Sequence, residues 1–384
     1  MNTLFLISES LSDFSGISKK ILAQVNALKF HGLKVDISYL EAKENNQFTG
    51  RSVNGKIIDR YSSVRIISKL HRRCKYKNLY NYIESKEIKL VYIRYTHFAN
   101  PFFISFLKKL KKKGIIILLE IPTFPYDQEY KNAPFSSKIV FLLEKYFRNG
   151  FKNYITRIIT LSPDTTIFKT PTIEISNGID ANLINLVQKH KQDGEFNLIG
   201  VATIGFWHGY DRVIKGLHNY YSDGNLSKKK VFFHVVGDTS NTESQRYKEL
   251  VDKYHLNTYI NFYGRKSGKE LDTIFNRMDL AVGSIACHRI SLKYIKSLKN
   301  REYCARGIPF FYSEIDPDFE NKNFVFKVPA NDEPVDIQEI VNFISNNHFD
   351  AVEIRNYAVE NLTWEKQFEK VLREIALHND ILGT

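Results

Sequence analysis

Short apolar runs alternate with segments of helical period along this chain, and the alternation begins afresh near residue 196. TLFLIS (3–8), KVDISYL (34–40), IKLVYIRY (88–95), GIIILLEIP (114–122) and RIITLS (157–162) read as strands. Between them lie helix patterns: Ile17, Ile21, Val25 and Leu28 before a stop at HG (31–32), a basic helix over 101–113, and another over 136–148. The looser stretch 41–62 fits a hairpin. The second series runs FNLIGVAT (196–203), KVFFHVVGD (230–238), YINFYG (259–264), DLAVGS (279–284) and PFFYSE (309–314), again with helices between. Strands separated by helices predict open parallel sheets covered on both faces. The expected architecture is α/β, two doubly wound Rossmann-like domains facing a cleft. Residues 1–180 form the first domain, 181–195 a polar linker and 196–360 the second domain. A final helix in 361–384 packs back toward the first, with Trp364, Phe368, Val371, Leu372 and Ile375 on one face behind a Thr363 cap.

At 384 residues the chain is too long for one core. Its longest apolar run, GIIILL at 114–119, is far below the roughly 18 residues of a spanning helix. The N-terminus has no basic stretch ahead of its apolar residues, so no signal peptide is expected. Cys74, Cys287 and Cys304 stand far apart, which suits a reducing cytoplasm and forms no metal cluster. The net charge is +13, and segment 64–114 holds 14 basic residues against two acidic ones. Such a patch attracts anions, whether phosphorylated substrates, anionic lipid or nucleic acid; a Lys-rich face kept for solubility is the plainer alternative. No RNP, KH or zinc-finger pattern favours nucleic acid.

The segment SLKNREYCARGIPF (297–310) carries the most chemistry. Ser297 is placed to cap a helix that Gly307 and Pro309 end. A helix start after a strand is an anion site, because free N–H groups and the helix dipole point out of it. Lys299 adds a positive charge, and Glu302 lies three residues on, on the same face. A diphosphate at the helix start leaves Glu302 within reach of a ribose. On spacing alone, a surface glutamate paired with Lys299 explains the pattern as well. In GFWHGYDR (205–212), His208 is a candidate phosphate donor, while Trp207 fits either a cleft or a packing role.

REYCARGIPFF resembles the "EAMACGxPVI" segment of retaining nucleotide-sugar glycosyltransferases of the GT-B fold, family 4 type. GISKKILAQVNALKFHGLKVDISYL (16–40), ISNGID (175–180), FHVVGD (233–238), INFYGRKSGKELDTIFNRMDLAVGS (260–284) and LTWEKQFEKVL (362–372) resemble other segments of that family, in its order. The resemblance covers most of the chain. It implies that Glu302 binds the donor ribose, that Ser297 and Leu298 offer N–H groups to the diphosphate, and that Gly16 lies under the donor phosphates. It implies no metal and no cofactor beyond the nucleotide-sugar itself, and DPD (316–318) reads as turn chemistry.

The chain departs from the family in three places. Tyr294 stands where the first glutamate of Glu-x7-Glu belongs. His208 and Thr203 stand where a lysine and an arginine usually meet the diphosphate. Arg289 and Lys299 are the expected substitutes, with Arg265 and Lys266 behind them. In EIPTFPYDQE (120–129), Glu120 and Asp127 are candidates for the acceptor side, or for supporting their loop. Arg94 and His97 in VYIRYTH (91–97) are candidates for the same side, though a lone histidine is commonly structural. The expected function is transfer of a sugar, UDP-linked by default, to a hydroxyl of a glycan or lipid-linked glycan, with retention, in surface polysaccharide synthesis at the inner membrane face. The alternatives are a GT-B epimerase or phosphorylase and, behind them, a nucleic-acid-binding protein.

Overall fold

The computed structural model describes residues 1–12, 16–43, 47–130, 134–188, 194–222 and 229–382. The chain begins β1 (Asn2–Leu6), α1 (Gly16–Phe30), β2 (Lys34–Ala42), β3 (Phe48–Val53), β4 (Lys56–Arg60), α2 (Arg65–Cys74), α3 (Lys77–Ser85), β5 (Leu90–Arg94) and α4 (Pro101–Lys112). It continues β6 (Ile116–Ile121), α5 (Phe135–Phe147), β7 (Arg157–Thr160), β8 (Thr166–Ile167), β9 (Thr170–Glu174), β10 (Glu195–Ala202), α6 (Tyr210–Tyr221), β11 (Lys230–Gly237) and α7 (Thr242–Lys253). It ends β12 (Ile260–Phe262), α8 (Gly268–Phe275), β13 (Leu280–Val282), α9 (Leu298–Arg306), β14 (Phe310–Tyr312), β15 (Val325–Lys327), α10 (Ile337–Asn346), α11 (Ala351–Asn361) and α12 (Trp364–Leu382). Two compact units divide these elements: Met1–Ser176 with Trp364–Thr384, and Asn177–Thr363.

The first unit holds a sheet of order β4-β3-β2-β1-β5-β6-β7-β9-β8. Its central pairs are parallel, and β2–β3, β3–β4 and β8–β9 are antiparallel. The hairpin of β3 and β4 turns at Asn54-Gly55, whose φ of 47° and 81° suit the mirror-image turn that matches strand twist. Strand alternation divides the core. Leu4, Leu6, Val91, Ile93, Ile117 and Leu119 face one way, with Leu79, Phe103, Phe106 and Leu107. Phe5, Ile7, Tyr92, Leu118 and Ile159 face the other, with Ile21, Val25, Trp364, Phe368, Val371 and Ile375. The C-terminal helix α12 is thus part of the first unit's core.

The second unit holds a sheet of order β12-β11-β10-β13-β14-β15, parallel throughout. Val231, Phe233 and Val235 meet α6 and α7 on one face; Ile199, Ala281 and Phe310 meet Phe275, Tyr303 and Ala358 on the other. The segment expected as a linker belongs to this unit where it is described. Asp180 caps a short 3-10 turn at Ala181–Leu183. Arg355 donates to the Ala181 and Ile184 carbonyls, both at 2.7 Å. Residues 189–193 lie outside the described residues. The strand pattern does not announce α2, α3, α10 or α11. Neither α2 nor α3 has a side-chain cap, and α2 leaves Ile66, Ile67 and Leu70 exposed, so its apolar residues do not trace a core stripe.

Candidate functional site

In doubly wound sheets ligands bind beyond the strand C-termini where the strand order reverses. The second sheet reverses between β10 and β13, which pair as Leu198–Leu280 and Ile199–Ala281. The loop after β10 turns at Gly209, with φ 72°. A Cβ there would sit 2.8 Å from the Ala286 Cβ, so the conformation and the close approach both require glycine. The two loops are laced together by the Ile285 N–H donating to the His208 carbonyl at 3.1 Å.

His208 is buried, and its Nδ1 accepts the Gly205 N–H at 3.0 Å, which leaves the ring proton on Nε2. Burial, with the charge of Lys299 behind it, pushes its pKa down to about 2, so the ring is a neutral donor. Lys299 follows Ser297, whose Oγ accepts the Lys299 N–H at 3.3 Å as the cap of α9. The Lys299 Nζ donates to Ser284 Oγ at 3.3 Å, beside β13. Burial pushes its pKa down to about 7, against the pull of the Cys287 thiol. Among the described residues no carboxylate pairs with it. A half-buried lysine at a helix start and a strand-order reversal, with no carboxylate partner among the described residues, presents its ammonium where an anion can be received. Leu298 is half exposed beside it.

Glu302 lies one turn deeper and pairs with Arg306 rather than with Lys299. Nε and Nη2 of Arg306 both donate to Glu302 Oε1 at 3.2 Å, and Arg306 also holds Asp272 at 2.6 Å. Oε2 of Glu302 has no protein donor among the described residues. The carboxylate is therefore oriented by one oxygen and open at the other.

The expected auxiliary cations are engaged elsewhere. Arg289 grips Asp211 through two bonds of 2.9 and 3.0 Å, and it also bonds Asp332 at 2.6 Å and the Phe206 carbonyl at 2.8 Å. These carboxylates raise its pKa and absorb its charge, so it positions the 205–209 loop. Arg265 pairs with Asp238 at 2.6 Å and Lys266 with Glu270 at 2.9 Å, both on the surface. Arg212 was not evident from the sequence. It is buried under the same loop and donates to Glu333 O at 2.6 Å, Asn331 Oδ1 at 3.1 Å and the Ile285 carbonyl. Its one signal was its place three residues after Gly209. Tyr294, at the missing glutamate, is half exposed. The Asp316 and Asp318 carboxylates of DPD close on the fully buried Arg301, a structural task.

In the first unit Gly16 opens α1, and residues 13–15 before it lie outside the described residues. Glu120 is turned into a buried network. Its Oε1 meets Arg94 at 2.7 Å and Lys20 at 3.9 Å, and its Oε2 meets Gln24 at 3.2 Å and Tyr92 OH at 3.1 Å. Burial lowers Lys20 to about 8, while these cations hold Glu120 ionised against its own burial. Asp127 is clamped by Arg148 at 3.0 and 3.2 Å and by Lys145 at 3.3 Å. His97 stacks on Tyr126 with centroids 3.7 Å apart and bonds the Tyr130 hydroxyl at 2.9 Å; burial lowers its pKa to about 4. It borders a cavity of about 320 Å³ beyond the C-termini of β1 and β5, where the first sheet reverses its strand order.

Two parallel-sheet Rossmann-like units in this chain order are the architecture of GT-B glycosyltransferases. Several solved structures that this chain resembles are glycosyltransferases or synthases by name. A glycosyltransferase from Rickettsia africae is 14% identical over 99% of this chain and 98% of its own, with a TM-score of 0.67. Sucrose-phosphate synthase from Thermosynechococcus elongatus is 14% identical over 100% of both chains, with a TM-score of 0.63. The Anabaena protein HepE, solved in complex with UDP-glucose, is 12% identical over 97% of this chain and 99% of its own, with a TM-score of 0.58. At such identity the likeness is one of fold. No family model matches the sequence, and among curated proteins no sequence match is found.

Proposed function

We propose that this protein is a retaining glycosyltransferase that moves a sugar from a nucleoside diphosphate, UDP by preference, to a hydroxyl of a glycan or lipid-linked glycan. The observation that carries the proposal is Lys299, a half-buried lysine at the start of α9 whose ammonium meets Ser284 and, among the described residues, no carboxylate. When the glycosidic bond breaks, negative charge grows on the departing diphosphate. Lys299, the N–H groups of the first turn of α9 and the Nε2–H of His208 are set in advance to receive it. The open oxygen of Glu302 takes a ribose hydroxyl. In retention of this type the departing phosphate oxygen accepts the acceptor proton, so no strong protein base is required. The proposed transfer needs no metal.

We place the protein in the cytoplasm, peripheral on the inner membrane face, in surface polysaccharide synthesis. Among the described residues no helix is long and apolar enough to cross a membrane. The support for surface binding is the basic segment 64–114 with two exposed apolar faces. Ile66, Ile67 and Leu70 stand out on α2, and Phe135, Ile139, Leu142 and Tyr146 stand out on α5. Co-sedimentation with anionic vesicles, lost on charge reversal at Lys109, Lys111, Lys112 and Lys113, tests this placement; sedimentation unchanged by the reversal refutes it.

A thermal-shift panel of UDP, GDP, ADP and dTDP tests the donor site. At a hundredfold excess over Kd the preferred nucleotide adds about 2.7 kcal/mol of stability. Absence of any shift rejects the nucleotide-sugar reading, and donor epimerised without acceptor points to an epimerase.

A further inference from the structure

The cavity at the β1–β5 reversal carries charge that the proposed chemistry does not use. Arg72 and Arg73, adjacent in the last turn of α2, line it with Ser8, Glu9, Thr96 and His97. Neither arginine has a carboxylate partner among the described residues, although Glu9 stands on the cavity wall. The Arg72 guanidinium lies 4.8 Å over the Phe48 ring, which fixes its plane. A third guanidinium, Arg51, is buried beneath, with its Nη1 3.4 Å from the Ile7 carbonyl and 3.5 Å from Ser38 Oγ. Burial lowers the pKa of Arg72, and the charges of Arg73 and Arg51 add to the effect. The C-terminal dipole of α2 favours cations in its last turn, which relieves part of this repulsion. Two guanidiniums gathered at the rim of a polar cavity, above a third, recognise a planar or tetrahedral oxyanion through paired N–H bonds. The hydroxyls of Ser8 and Thr96 beside them suit a sugar.

Resting on the glycosyltransferase reading, we infer that this cavity takes the acceptor and that the acceptor carries an oxyanion, a phosphoryl or carboxylate group, held by Arg72 and Arg73.

The test uses ligand-observed NMR on the full chain with three probes: glucose 6-phosphate, glucuronate and neutral glucose. At least one anionic sugar is expected to bind tenfold or more tightly than glucose, and which one does so distinguishes phosphoryl from carboxylate. R72Q/R73Q is expected to remove that preference while leaving UDP affinity within twofold and the urea melt of the first unit cooperative, which reports that this unit is folded. R72K/R73K, used if the double glutamine variant does not fold, is expected to keep attraction but lose at least threefold in affinity, because ammonium groups cannot make the paired bonds. Anionic sugars that bind no better than glucose, a preference that survives R72Q/R73Q, or undiminished affinity in R72K/R73K overturn the inference while UDP binding leaves the enzymatic proposal standing. Anionic sugars held by Arg72 and Arg73 in a protein that binds no nucleotide keep this site and overturn that proposal instead.

Discussion

Nucleotide binding should drive a proton onto Lys299. Burial holds its ammonium near pH 7 instead of the ordinary 10.5. With a pKa of about 7, about 0.9 of the lysine is neutral at pH 8, about half at pH 7 and about 0.1 at pH 6. A diphosphate seated at the start of α9 restores a counter-charge and draws the pKa back up. Binding at pH 8, where the nucleotide is itself fully ionised, should therefore take up close to one proton, and the uptake should fade toward pH 6. Calorimetric titration of UDP in two buffers of unlike ionisation enthalpy reads this number directly. K299M should abolish the uptake and weaken binding by about 2–3 kcal/mol, the scale of a lost charged hydrogen bond, or roughly 30- to 150-fold. The sign also appears without ligand. The unfolded chain holds the proton up to pH 10.5 and the folded chain only to about 7, so this group makes stability rise with pH between those values. K299M should thus exceed the wild type in stability below pH 7, with the gap closing as pH rises toward 10. Uptake below about 0.2 proton at pH 8, or uptake preserved in K299M, would refute the reasoning.

Glu302→Ala should weaken the best nucleotide by about 1–2 kcal/mol, the loss of a charged acceptor to a ribose hydroxyl, as read by thermal shift; unchanged affinity rejects the ribose role. Gly307→Ala should destabilise the second unit by 2 kcal/mol or more, on the order of a backbone clash added to a positive φ, in urea melts. Its φ is 74°, and an added Cβ would lie 2.3 Å from the Ala351 carbonyl oxygen. Phe368→Ala should cost about 3–5 kcal/mol in the first unit, because this buried ring meets Tyr92 with centroids 5.4 Å apart. Glycosyl transfer should be unchanged by EDTA, and a loss restored by a divalent cation would contradict the metal-free proposal.

The strand-and-helix alternation was legible because buried parallel strands are apolar on both faces, and the stops at Gly32 and Gly307 mark helix ends by a residue tolerant of positive φ. Capped α9 was legible for the same local reason: Ser297 and Gly307 are both short-range signals. Partner choice was not legible, because ion pairs join residues far apart in the chain. Arg289 looks free in sequence, yet Asp211 and Asp332 lie 78 and 43 residues away. Glu120 looks like a loop carboxylate, but its partners Lys20, Gln24 and Arg94 come from α1 and β5. Glu302 has its partner one turn along its own helix, where Lys299 and Arg306 compete at i−3 and i+4. The winner depends on Asp272, which holds Arg306 in place and which spacing does not reveal.

The same logic explains why a histidine stands where the resembling family has lysine. Lys299 reaches back from α9 to Ser284, close enough for its charge to depress His208. A lysine at 208 would put a second ammonium into a niche that has already desolvated the first, with no carboxylate among the described residues to separate them. Neutral His208 keeps one donor for an anion and adds no repulsion when the site is empty. Arg289 and Arg212 also lie by this loop; two carboxylates balance the first, and the second is held by the Glu333 and Ile285 carbonyls and Asn331, which leaves Lys299 as the charge that changes on binding. H208K should therefore lower the stability of the nucleotide-free protein more than that of the nucleotide complex. The difference should show as a larger UDP-induced thermal shift than in the wild type. An equal or smaller shift would mean that the two positions do not face the same anion.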